Sequence, residues 1–301
     1  MINRQIICLM SLVLYVVLTT SQFASAQPAN SYHIEPDWAS LPEGGWDGST
    51  SWVAADGKGN ILVMVRSAPY FRLYTRNGDF IKSWGEIPEM RNAHSVTFDK
   101  QGNIWATDAA RHVVYKIDQN ETLLMTLGTT DEAGDNSAQT LFNQANHVFV
   151  ADDGDIYVSD GYQNSRVIQF NGAGEFVRII GGEQGSEDGQ LDVPHGVALD
   201  SRGRILVNDS GNQRVAVFDP SGQFVEAWPF PSRGGIVIME DDIVYISDVN
   251  AGAINIVKNG VLLDTIKVDA RPHGLAVDTD GSVYVSDARG RLVIKITKAE
   301  N

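Results

Sequence analysis

Three histidines in this 301-residue chain occupy matching settings, Ala93-His94-Ser95, Val193-Pro194-His195 and Arg271-Pro272-His273. Three neutral imidazoles can hold a divalent ion and leave a fourth position for water or substrate, which is the arrangement of catalytic rather than closed structural zinc. Iron or manganese would also suit such a set. The chain has six histidines in all, so three at equivalent positions are a signal rather than background. Its one cysteine, Cys8, falls in the first apolar stretch, which leaves histidines and carboxylates as the side chains able to bind a metal.

The histidines are equivalent because the chain repeats. Four short apolar runs separated by Gly, Asp, Asn and Ser turns lie between His195 and Trp228, and the pattern begins again at Ser51, His94, Asn146, Gly234 and His273. Each unit reads as a four-stranded antiparallel meander. Starts 39 to 52 residues apart predict an all-β, six-bladed β-propeller. The last unit supplies three clear strands, and Ser31–Pro36 (SYHIEP) is strand-like, so an N-terminal strand is expected to complete blade 6 and close the ring. Thr129–Asn143, rich in polar and small residues, is expected as a surface loop beside the site.

In a propeller the first strand of each blade lines the channel, and the second returns to the same mouth. Residues at the start of strand one, and those 14 to 16 positions later, therefore share that mouth. The six starting residues are Ser51, His94, Asn146, His195, Gly234 and His273, with histidine on alternate blades. His147, one place further along, is expected to turn away from the axis by strand alternation. Asp108, Asp160, Asp209, Asp248 and Asp287 recur 14 places after their anchors, and that regularity assigns them to turn hydrogen bonds rather than metal binding. Beyond them the blades differ. Arg66 is a candidate clamp for a substrate carboxylate, Tyr162 a candidate base, and Ser210 a candidate substrate contact. The plainer readings are a surface salt bridge for Arg66, a packed aromatic for Tyr162, and histidines that only hydrogen-bond a loop.

Arg4, the apolar run Ile6–Leu18 and the small-residue site Ala24-Ser25-Ala26 read as a cleavable signal peptide over residues 1–26, followed by a single domain over 27–301. The run is too short for a membrane anchor, so a soluble secreted or periplasmic protein is expected. A formal net charge of −15 argues against nucleic acid as a partner. A monomer acting on a small molecule or peptide with a carboxylate end is expected.

From about Tyr32 to Thr297 the chain resembles the peptidyl-α-hydroxyglycine α-amidating lyases and their bacterial relatives, which are NHL-type six-bladed propellers. The most specific match is Ser159-Asp160-Gly161-Tyr162-Gln163-Asn164-Ser165-Arg166. The resemblance implies zinc on His94, His195 and His273, Tyr162 as base and Arg66 on the substrate carboxylate. It implies cleavage of an N-acyl α-hydroxyglycine to an amide and glyoxylate. The chain departs from the family at two places. Asp209-Ser210-Gly211-Asn212 replaces the Asp-Arg-Glu-Asn run common in the family, whose arginine supports the tyrosine, and Gly274 stands where the animal enzymes have an aspartate that binds a structural calcium. A propeller metallohydrolase and a non-catalytic binding scaffold are the competing readings.

Overall fold

The structure, a computed structural model, describes residues 31–39, 49–86, 89–239, 241–288, 290 and 293–299. The expected signal peptide lies outside the described residues. Among those described, six four-stranded antiparallel sheets follow one another along the chain as the blades of a β-propeller. Their inner strands are Thr50–Ala55, Ala93–Phe98, His147–Val150, Pro194–Leu199, Ile236–Ile238 and Pro272–Val277. The outer strand of the sixth sheet is Tyr32–Glu35, which pairs antiparallel with Val293–Lys298 in the register Tyr32↔Lys298.

Burial explains the apolar pattern. Second strands such as Ile104–Asp108, Ile156–Asp160 and Ile205–Asp209 are buried at every residue, because each blade is sandwiched between two neighbours. Outer strands such as Phe80–Trp84 face solvent along most of their length. The core is accordingly divided into clusters between adjacent blades. Trp52, Leu62 and Met64 of blade 1 pack on Val96, Ala106 and Tyr115 of blade 2, and Tyr157 and Val167 of blade 3 pack on Val197 and Val207 of blade 4.

Around the channel a second device ties each blade to the next. The residue just before the recurrent aspartate donates to the backbone carbonyl of the following blade's anchor residue. Thr107 Oγ1 reaches Asn146 O at 3.2 Å, Ser159 Oγ reaches His195 O at 2.6 Å, and Asn208 Nδ2 reaches Gly234 O at 2.9 Å. Ser247 Oγ reaches His273 O at 3.4 Å and Ser286 Oγ reaches Ser51 O at 3.0 Å. Blade 1 has Met64 at this position, and there Ser51 Oγ itself donates to His94 O. Each bond satisfies a carbonyl that would otherwise be buried near the axis. The Thr-Asp, Ser-Asp and Asn-Asp pairs that do this are visible in the repeat, but the periodicity marks only their aspartates as regular.

Candidate metal centre

The anchors bring His94, His195 and His273 together. Their candidate ligand atoms all lie within 4.8 Å of one another. The ring centroids form a triangle with 5.1 Å on each side. All three residues are buried.

The rings are oriented by backbone carbonyls of the next blade. His94 Nδ1 lies 2.6 Å from Asn146 O, and His273 Nδ1 lies 3.0 Å from Ser51 O. These acceptors place the proton on Nδ1 and leave Nε2 as the free lone pair, the outer-sphere arrangement that suits a metal-binding imidazole. The Gly234 backbone stands in the same relation to His195 and favours its protonated ring, but the pair falls short of hydrogen-bond geometry, and His195 Nδ1 is buried without a partner.

Burial is also the main reason the three rings stay neutral. It pushes His94 and His195 well below the usual histidine range, with the neighbouring His273 adding to the effect in both. It brings His273 down to about 4. A ligand must be deprotonated before it binds, so neutral rings are the competent state.

Tyr162 projects into the same space. Its hydroxyl donates to His94 Nε2 at 2.8 Å, and its ring lies 5.2 Å from that of His94 and 5.9 Å from that of His195. Burial raises its pKa, while the charges of Arg66 and Arg233 pull it back. Arg66 donates through Nη1 to Asn92 Oδ1 and to the carbonyl of Ala93, the residue before His94. It forms no salt bridge among the described residues, in contrast to its plainer reading.

The Ser159–Arg166 motif divides its labour. Asp160 and Arg166 form a fully buried pair at 3.0 Å, and Arg166 also binds the carbonyls of Ala138 and Leu141. Asn164 Nδ2 donates to Gly134 O at 2.9 Å, and Ser165 N donates to Asn136 Oδ1 at 2.8 Å. These residues fasten the Thr129–Asn143 insertion, so Tyr162 rests on a braced loop. Gly161 is required by close approach, because a Cβ there would fall 1.9 Å from the Pro194 carbonyl oxygen. The tyrosine segment is thus pressed against the residue preceding His195.

Two expectations change. Ser210 commits its hydroxyl proton to the protein itself. It donates at 2.7 Å to the carbonyl of Val193, whose φ of 51° is unusual for a β-branched residue, and so holds the turn that leads into His195. His147 does not turn away from the axis. It is buried in the channel one layer below the three histidines, 5.1 Å from the ring of Trp52. Trp52, which the repeat pattern had not singled out, underlies the whole set, with centroids 5.9, 6.0 and 5.2 Å from His94, His195 and His273. This tryptophan also answers the calcium question. A Cβ on Gly274 would fall 2.6 Å from Trp52 Cα and 2.7 Å from Ser286 Oγ, so an aspartate has no room there and the family's calcium ligand does not fit. Beyond Trp52 and His147, towards the opposite end, lies a separate cavity of about 140 Å³ lined by apolar residues such as Val53, Val96, Phe149 and Leu275.

The aspartates behave as turn residues. Asp108 accepts from the backbone N–H groups of Arg91 and Asn92, Asp209 from Asp192 N, Asp248 from Asn250 N and Ala251 N, and Asp287 from Arg271 N.

The buried histidines predict an acid limit for the metal-free protein. His147 and His273 titrate near 4 in the folded chain, against an ordinary 6.5, because burial penalises the charged ring. Below pH 6.5 the unfolded chain takes up protons that the folded chain refuses, so stability is full above 6.5 and falls as pH drops towards 4. The expected loss is roughly 3 kcal/mol for each such histidine by the bottom of that window. Urea midpoints at pH 7, 5.5 and 4.5 should fall accordingly, and His147→Gln should fall less steeply, by about one proton. Equal slopes for the two proteins would contradict this account of His147.

The chain is similar to known proteins over most of its length. The NHL repeat family model matches residues 191–218 and 270–293. NHL repeat-containing protein 3 from Homo sapiens is 28% identical over 88% of this chain and 83% of its own length. Peptidylglycine alpha-amidating monooxygenase from Rattus norvegicus is 29% identical over 91% of this chain, which spans 33% of the rat protein. Peptidyl-alpha-hydroxyglycine alpha-amidating lyase 2 from Drosophila melanogaster is 30% identical over 52% of this chain and 39% of its own length.

Proposed function

Because the chain carries NHL repeats and is homologous to the peptidyl-α-hydroxyglycine α-amidating lyases, we propose that it is a metal-dependent carbon–nitrogen lyase. Its substrate is an N-acylated α-hydroxyglycine or a similar carbinolamide, and its products are an amide and glyoxylate. The observation that carries this reading is the convergence of three buried, neutral imidazoles within 4.8 Å, with a tyrosine hydroxyl 2.8 Å from one of them.

His94, His195 and His273 are the residues to hold the ion, with zinc as the first candidate and iron or manganese as alternatives. When bound, such an ion supplies Lewis acidity to the substrate hydroxyl. Tyr162 is the residue to accept the hydroxyl proton; burial holds its phenol above the usual tyrosine range, and the charges of Arg66 and Arg233, with that of a bound cation, would offset this. The electrons of the broken O–H bond form the new carbonyl, the C–N bond breaks, and its pair stays on the amide nitrogen, which takes up a proton. Arg66 holds the carboxylate, since its guanidinium has no acidic partner among the described residues.

The test is chemical. Metal-loaded protein should convert N-benzoyl-α-hydroxyglycine to equal amounts of benzamide and glyoxylate. Acid release from an ester and lactone panel, without glyoxylate, would instead make this a hydrolase. A second reading, a binding scaffold, draws on the similarity to NHL repeat-containing protein 3, whose name states no activity. Purified protein that retains no metal and releases no glyoxylate would favour it.

A further inference from the structure

The histidines come from blades 2, 4 and 6, and the blades between them supply other groups to the same mouth. Blade 1 supplies Arg66 and blade 3 supplies Tyr162. Blade 5 supplies Arg233.

Arg233 directly precedes Gly234, the blade-5 equivalent of the three histidines, and the residues on either side of it are fixed. Ser232 is buried and donates to the Ser247 carbonyl at 3.2 Å. Gly234 has no room for a side chain, because a Cβ would fall 2.2 Å from Ser247 Oγ and 2.4 Å from the His273 carbonyl oxygen. Between these two points Arg233 is exposed. Like Arg66, it forms no ion pair among the described residues, although acidic residues outnumber basic ones by 38 to 23. Arg91 and Arg111, by contrast, both pair with Asp131.

Arg66 and Arg233 stand on blades 1 and 5, on either side of the blade that carries His273. The main chains of both blades are fastened to His273: Gly235 N donates to the His273 carbonyl at 2.7 Å, and the Ser51 carbonyl lies 3.0 Å from His273 Nδ1. A pair of unpaired guanidiniums astride one metal-ligand position is suited to an anion with two acceptor oxygens.

We propose that Arg233 is a second substrate-binding residue, which acts with Arg66 to grip the substrate carboxylate over blade 6 and directs the acyl portion towards blades 2 to 4. This assignment rests on the lyase reading, since it takes that reading's carboxylate as its ligand. It leaves the mouth with two cations that serve the substrate and none in blade 4, where Ser210 holds a turn instead.

The experiment is calorimetric binding of two unreactive probes to the zinc-loaded full chain. N-benzoylglycine carries the carboxylate and N-benzoylglycinamide does not. Arg233→Gln should weaken binding of the acid about 10-fold, as expected for loss of one charge-assisted contact, and leave the neutral amide unchanged. Arg233→Lys should recover part of the loss. Full affinity for the acid in Arg233→Gln, with weakened binding in Arg66→Gln, would overturn the role of Arg233 and leave the lyase reading standing. Equal weakening of both probes in Arg233→Gln would also overturn it, by showing general damage to the mouth. A wild-type chain that does not prefer the acid to the amide would overturn both the proposal and the reading beneath it.

Discussion

His195→Ala should reduce bound metal from about one ion per chain to less than a tenth and lower glyoxylate release by about 10³-fold, the rate equivalent of losing several kcal/mol of Lewis-acid stabilisation. The loss should be this large because only three imidazoles converge among the described residues, and two cannot close a site with a single vacancy. His195 is the most informative of the three to remove. Its Nδ1 makes no hydrogen bond, so the substitution breaks no side-chain link between blades, while the carbonyl of residue 195 still accepts from Ser159 Oγ. The metal-free variant should also lose less stability than the metal-free parent on acidification, since burial holds His195 far below its ordinary range. Metal analysis by mass spectrometry, alongside the glyoxylate assay, checks both parts. Retention of full metal content and turnover would remove the basis of the lyase reading.

Tyr162→Phe should separate metal binding from catalysis. Turnover is expected to fall by about 10² to 10³-fold, the usual scale for loss of a proton-transferring group, while metal content stays at the parent level. The ring can remain in place, because it packs beside His94 and His195 and the preceding Gly161 is fixed against Pro194. The hydroxyl that is lost donates to His94 Nε2, the lone pair an ion would use. Its removal frees that nitrogen, so metal affinity should stay the same or rise. Reduced metal content in this variant would mean that Tyr162 supports the site's structure rather than its chemistry.

Much of the molecule was legible in the repeat. A fixed unit with apolar alternation specifies blades, and a polar residue placed at the same point of alternate units has to reach the same mouth. That reasoning found His94, His195 and His273, and the structure brings them together. It failed for His147 for a geometric reason. Alternation sends neighbouring side chains to opposite faces of a blade, but at the innermost strand both faces border the channel, so Trp52 and His147 also lie there. Ser210 and Arg233 were hidden in another way. Their parts depend on a neighbour in space, the Val193 turn in one case and the space beside His273 in the other, and no periodicity within a blade reports that.

The acceptors that aim His94 and His273 belong to the main chain of Ser51 and Asn146. A carbonyl survives substitution of its own side chain, so these positions can drift through evolution while the imidazoles keep their heading. The identities actually found at the three intervening anchors, serine, asparagine and glycine, share no functional group. A lineage could therefore rewrite Asn146, or Ser51 at the cost of its bond to the His94 carbonyl, and still keep the same heading for the rings, whereas Gly234 is held in place by lack of space. Residue matching at the first two places is thus a poor guide to whether a distant cousin has kept its chemistry.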